Sequence, residues 1–152
     1  MGSQKSYVEL VDTPICMEPL RRKIENPDAG AHGWFVGVTR RTTGQRVTET
    51  LHYEAHNAMA RRELNKLAER AVQEFSLLHV VIVHRLGEVP IAEASVAVGC
   101  SSRHRPETFA ALEWIMDTLK KEVPIWKREL YCDGKTEWVH PGLNTESQGV
   151  DS

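Results

Sequence analysis

At 152 residues the chain is long enough for one domain that buries roughly two thirds of the surface its unfolded form exposes, so no disulfide or metal staple is required. Its 19 basic and 21 acidic residues leave a net charge of −2, which argues against general nucleic-acid binding, a task that normally needs a basic domain. Cys16, Cys100 and Cys132 are odd in number and in no C-x-x-C pair, and no apolar run approaches the ~20 residues of a spanning helix; a soluble protein of the reducing cytoplasm is expected.

The opening Met1-Gly2-Ser3-Gln4-Lys5-Ser6 fits a myristoylation template, but one acyl chain anchors only marginally and no polybasic cluster follows, so no membrane attachment is expected. Residues 7–11 alternate weakly and predict an edge strand. Pro19 then opens a short helical stretch through Leu20 and Ile24, which Asn26-Pro27-Asp28 terminates. Residues 34–39 predict a strand interrupted by Gly37, a residue that permits close approach of another backbone or ligand. The turn-rich stretch 40–46 leads into a strand over 47–55, with Val47, Glu49, Leu51 and Tyr53 on one face and Thr48, Thr50, His52 and Glu54 on the other. These two strands are expected to form an antiparallel pair.

From Asn57 to Phe75 the positions Ala60, Leu64, Leu67, Ala68, Ala71, Val72 and Phe75 recur at three and four, the stripe of an amphipathic helix. Residues 80–83 are a continuous β-branched run, as in a strand covered on both faces, and residues 94–100 supply its neighbour after a loop around Pro90. Pro106 sits at a natural first helical position, and Phe109, Leu112, Met116 and Leu119 continue at helical spacing until Pro124. Strands over Ile125–Tyr131 and 136–140 bracket Asp133-Gly134, a hairpin signal, and beyond Pro141 a loose tail is expected. Sheet and helix alternate, which predicts a single α/β (α+β) domain with its core over residues 7–141.

Three segments carry chemistry: His84-Arg85-Leu86-Gly87-Glu88, Ser101-Ser102-Arg103-His104-Arg105-Pro106, and Val123-Pro124-Ile125-Trp126-Lys127-Arg128-Glu129. The second lies where a strand hands over to a helix, and there backbone N–H groups and the helix dipole favour an anion. Its two hydroxyls, two guanidiniums and one imidazole suit a phosphate, although a helix cap with solvated charges has the same composition. Lys120 and Lys121 complement the dipole at the far end of that helix. Lys127 lies on a short strand, where packing against apolar surface would strip its solvation and lower its pKa towards a useful acid or base. Arg40 and Arg41 follow the strand that carries Gly37. His84 ends a buried strand and reads as a core histidine, while His52, His56 and His79 have no metal-ligand spacing; neither a metal nor a cofactor is expected.

Phe35-Val36-Gly37-Val38-Thr39-Arg40, His52-Tyr53-Glu54-Ala55, the HRxGxxP pattern of 84–90, Ser102-Arg103-His104-Arg105, and the lysine-bearing stretch 120–129 ending in PxWKRE follow one another over most of the chain. In this order and spacing they resemble the large, catalytic subunit of molybdopterin synthase, the MoaE type. The resemblance covers about residues 28–140. Arg103 departs from it, standing where that family usually has a small residue, and residues 41–45 differ from the asparagine-rich version often seen.

The resemblance implies an α/β hammerhead-type fold with a mixed, largely antiparallel sheet and packed helices. It divides the chain into a weakly patterned strand and helix over 1–27, a catalytic domain over 28–141 and a flexible tail over 142–152. It implies a homodimer within a heterotetramer, in which a small ubiquitin-like sulfur-carrier subunit inserts a Gly-Gly tail bearing a thiocarboxylate. The sulfur goes to cyclic pyranopterin monophosphate, making the dithiolene of molybdopterin. Lys120 and Lys127 match the catalytic lysines, and Arg40, His104 and Arg105 match the substrate-binding positions, with Arg103 as an extra cation for the phosphate. The rival reading is a non-catalytic module that docks a ubiquitin-like tail or an anionic ligand; two lysines kept beside the anion loop favour the enzyme.

Overall fold

A computed structural model describes residues 4–139; Gly2, the end of the expected last strand at His140 and the expected tail lie outside them. Two sheets make up the fold of the described residues. The first contains β1 (Ser6–Val11), β5 (His79–Arg85), β7 (Ala94–Ser102) and β2 (Ala31–Val38) in the order β1-β5-β7-β2, with β1 parallel to β5 and the other pairs antiparallel. The second contains β3 (Thr42–Thr43), β4 (Arg46–Ala55), β8 (Ile125–Tyr131) and β9 (Thr136–Val139), with β6 (Gly87–Pro90) also pairing with β4.

The β-branched run in β5 is covered on both faces. Val80 and Ile82 face the helices α2 (Asn57–Phe75) and α3 (Arg105–Glu122), packing with Leu64, Leu67 and Ile115. Val81 and Val83 point the other way, onto Leu20 and Ile24 of the segment that contains α1 (Met17–Arg22). Each such buried aliphatic side chain contributes about 1.5–3 kcal/mol relative to exposure, so this strand is the natural centre of the core. The expected stripe of α2 is buried at Ala60, Leu64, Leu67, Ala68 and Ala71. Phe75 at its end tilts against Trp114 of α3, with ring centroids 5.6 Å apart. No helix among the described residues is long and apolar enough to cross a membrane.

Several expectations are corrected. The strand over 34–39 does not pair with that over 47–55: β2 lies along β7, and β4 lies along β8. The reason is packing, since the Trp34 ring occupies the space above Gly99 of β7, where a Cβ would fall 2.4 Å from it. Pro19 does not open α1, which begins at Met17 and ends at Arg22, leaving Ile24 outside the helix yet fully buried. Proline is accepted there because the first N–H groups of a helix have no partner inside it.

The loop expected around Pro90 holds the extra strand β6. In β4 a bulge between Thr48 and Thr50 reverses the alternation, so Val47 is 46% exposed while Thr48 turns inward. The stripe read along α3 is rotated as well. Thr108, Ala111, Ile115, Thr118 and Leu119 are buried, and Phe109 is 67% exposed.

Candidate functional site

The two sheets meet where three chain crossings coincide. Thr39 directly follows β2, its N–H donating to the Glu93 carbonyl at 3.0 Å and its hydroxyl donating to the Val89 carbonyl at 3.1 Å. That anchoring delivers the exposed Arg40 at the junction. The chain passes from β5 into β6 beside it, and from the end of α3 through Val123 and Pro124 directly into β8. Lys120, in the last turn of α3, and Lys127, on β8, therefore arrive at the same place as Arg40.

Lys127 is half-buried, opposite Tyr53 of β4 and Val139 of β9. Burial pushes its ammonium below the usual lysine range, and the like charges of Lys120 and Arg40 push the same way, while Glu129 and Glu137 oppose the shift. The direct electrostatic reach of Lys120 and Arg40 to Lys127 shows that the three cations share one neighbourhood. None of them makes an ion pair with a described residue. Three cations in one neighbourhood, only partly offset by Glu129 and Glu137, make a positive surface that suits an anion.

The loop 101–105 is elsewhere in the subunit, at the other end of α3. Ser102 donates to the His104 carbonyl at 2.6 Å, and its hydroxyl lies 2.6 Å from that of Thr108, so Thr108 donates to Ser102. This network fixes the turn into the helix, with His104 at the N-cap position and Pro106 just inside. Arg103, His104 and Arg105 all point outward and make no ion pair with a described residue. The structure thus brings Arg40, Lys120 and Lys127 together, and does not bring Arg103, His104 and Arg105 to them within one chain.

One residue beside the lysines escaped the reading of the sequence as a site. Glu129, 6% exposed on the same face of β8 as Lys127, accepts from Thr43 at 2.9 Å and also from Thr48. The signal was available, because residues two apart on a strand share a face. On the opposite face of that sheet, a pocket of about 240 Å³ is lined by Thr50, His52, Glu88, Arg128, Leu130 and Thr136, away from the lysines.

Cys100 offers no nucleophile at the junction: burial pushes its thiol up to about 11, and its sulfur lies 3.8 Å from the Thr108 carbonyl, at the other end of α3. Among the described residues no group of His, Cys, Asp and Glu is arranged to hold a metal ion. His84 is a core residue, edge-on to Tyr53 at 5.1 Å, with Nδ1 2.9 Å from the Arg85 carbonyl.

Burial pushes the His84 imidazole down to about 4. In the unfolded chain it titrates near 6.5, so the unfolded state takes up the proton first. Stability is therefore full above about pH 6.5 and falls as the pH drops towards 4, by about 3 kcal/mol in all. Denaturant titrations from pH 8 to 4 should show this slope, and His84→Gln should flatten it; an unchanged slope in the variant would assign the loss to other groups.

The family model described as MoaE protein matches residues 10–122. The chain belongs to the MoaE family. A molybdopterin synthase catalytic subunit from Emericella nidulans is 41% identical over 132 residues, which is 87% of this chain and 68% of the relative. One from Thermoplasma volcanium is 38% identical over 134 residues, 88% of this chain and 97% of the relative. The crystal structure of molybdopterin synthase from Staphylococcus aureus superposes with a TM-score of 0.81 at 34% identity, covering 86% of this chain and 95% of that one. The two sheets and three helices among the described residues are thus the MoaE fold, and Lys120, the last of the junction residues within the matched span, stands two residues before the match ends.

Proposed function

We propose that the chain is the catalytic subunit of molybdopterin synthase and transfers sulfur to cyclic pyranopterin monophosphate from the C-terminal thiocarboxylate of a small ubiquitin-like subunit. Its role in molybdenum-cofactor biosynthesis follows from MoaE membership and from the Thermoplasma volcanium relative, which carries the catalytic-subunit name and is matched over 97% of its length. The observation that carries the sulfur-transfer reading is the meeting of Lys120, Lys127 and Arg40 at one junction, with Lys127 half-buried and its pKa lowered.

Each cation then has a task. Arg40 grips substrate oxygens, bidentate where geometry allows. Lys120, at the rim, steadies the thiocarboxylate as its sulfur bonds to the pterin and then the oxyanion formed as water attacks the resulting thioester carbonyl, which breaks the acyl–sulfur bond and releases the tail as a carboxylate. Lys127, with its lowered pKa, moves protons as the substrate ring opens. Because the partner's tail brings the sulfur, no cysteine nucleophile is needed, in keeping with the buried, protonated Cys100.

Arg103, His104 and Arg105 bind the cyclic phosphate from across a homodimer, and with two small subunits the assembly is a heterotetramer working in the cytoplasm. The deciding assay mixes the protein with thiocarboxylated small subunit and cyclic pyranopterin monophosphate. Molybdopterin is the expected product. Tight binding of the small subunit with no product would favour the docking module instead, and deletion of the partner's last two glycines should abolish transfer.

A further inference from the structure

Glu129 is buried, yet no lysine or arginine among the described residues forms an ion pair with it. Its partners are two hydroxyls that converge on one carboxylate oxygen, those of Thr43 and Thr48, which lie 3.4 Å from each other. Thr48 faces inward only because of the bulge in β4. Thr43 belongs to β3, whose two residues pair with Val47 and Arg46 and could not hold a hairpin alone. The Thr48 N–H adds one bond to the Arg41 carbonyl at 2.7 Å. Arg40 thus sits between Thr39, bonded to Val89 and Glu93, and Thr43, bonded to Glu129.

We propose that Thr43 and Thr48, by binding Glu129, act as positioning residues that clasp the Arg40 loop to the strand carrying Lys127. This rests on the reading above, in which Arg40 and Lys127 serve one substrate. The clasp fixes where the guanidinium stands relative to the lysine ammonium, so loosening it weakens the grip of Arg40 on the substrate oxygens. Glu129 has a second effect through its charge. The groups around Lys127 are Glu129 on its own strand, Lys120 from α3, Arg40 after β2, Glu137 from β9 and Tyr53 from β4, and of these the two carboxylates favour the ammonium form.

The test uses the full chain with thiocarboxylated small subunit and cyclic pyranopterin monophosphate. Thr43→Val and Thr48→Val should each raise the KM for the pterin about tenfold, with kcat changed less than about threefold, and should speed amide exchange across residues 42–48. Thr43→Ser and Thr48→Ser keep the hydroxyl and should restore both. Glu129→Gln keeps a carbonyl oxygen for the two donors, so exchange should stay slow. It removes the charge, and the Lys127 titration followed by NMR of labelled lysine should move down by about half a unit to one unit.

Valine variants with unchanged KM and exchange would overturn the clasp, as would serine variants as impaired as the valine ones. Absence of molybdopterin with the unaltered protein would instead remove the functional reading, while exchange and the lysine titration still decide the clasp.

Discussion

Replacing Lys127 by alanine is expected to slow molybdopterin formation at least about a hundredfold while leaving the fold in place, and Lys120→Ala is expected to do the same. The expectation for stability follows from position. Lys120 is exposed in the last turn of α3, and Lys127 is half-buried beside the core rather than within it, so truncation removes no fully packed group and melting should change little.

The expectation for rate follows from chemistry, and two further variants separate the roles. Arginine stays protonated at any working pH, so Lys127→Arg keeps the charge but cannot give up the proton, and should remain inactive. Lys120→Arg keeps the charge that Lys120 is asked to supply and should retain measurable turnover. The pH profile provides a check on sign. If Lys127 accepts a proton, activity rises as pH passes through its pKa, which burial places below that of an ordinary lysine. In Lys127→Ala that limb should vanish. Single-turnover assays beside circular dichroism melts measure all of this, and near-normal turnover in either folded alanine variant would remove that lysine from the mechanism.

Mixing inactive Arg105→Ala subunits with inactive Lys120→Ala subunits is expected to restore about a quarter of the activity. Helix α3 begins at Arg105 and carries Lys120 in its last turn. Fifteen residues at ~1.5 Å each separate them by roughly 22 Å, too far for one small pterin to touch both. If both serve the substrate, they come from opposite subunits of a symmetric pair, which then holds two equivalent shared sites.

The surface suits such a pair. Strand β2 is an edge of its sheet and exposes Phe35, Val36 and Val38, and the next helix over exposes Phe109. Unpaired strand edges and clustered apolar side chains are the features that association covers. In a mixed dimer one site regains Arg105 from one chain and Lys120 from the other, while the second site lacks both. Random mixing makes about half the dimers mixed, each with one of two sites, hence the quarter. Mixed dimers confirmed by mass spectrometry with no recovery would mean that each site is contained in one subunit.

The sequence by itself determined the elements whose pattern has a single physical solution. The α2 stripe buries as read at Ala60, Leu64, Leu67, Ala68 and Ala71, with Val72 and Phe75 partly buried at its end, because leucines and alanines at three and four have only one apolar face to offer. The β-branched run in β5 had to be covered on both sides, since neither of its faces is polar. The strand-to-helix turn at Ser102 and Pro106 was legible from residue chemistry alone, and the ordered segments identified the family.

Only the tertiary structure decided what depends on the partner of an element. Helix α3 carries apolar residues on more than one face, and the sheet beneath it, through the Ser102 to Thr108 bond, selected the one with Thr108 and Ile115 rather than Phe109. The partner of β2 was set by the fit of Trp34 over Gly99, a contact between residues 65 positions apart that no local pattern encodes. The junction of Arg40, Lys120 and Lys127 has the same character. Each lysine or arginine alone reads as a solvated charge, and the pKa of Lys127 is lowered because the assembled fold buries its ammonium and, to a lesser degree, brings Lys120 and Arg40 near it.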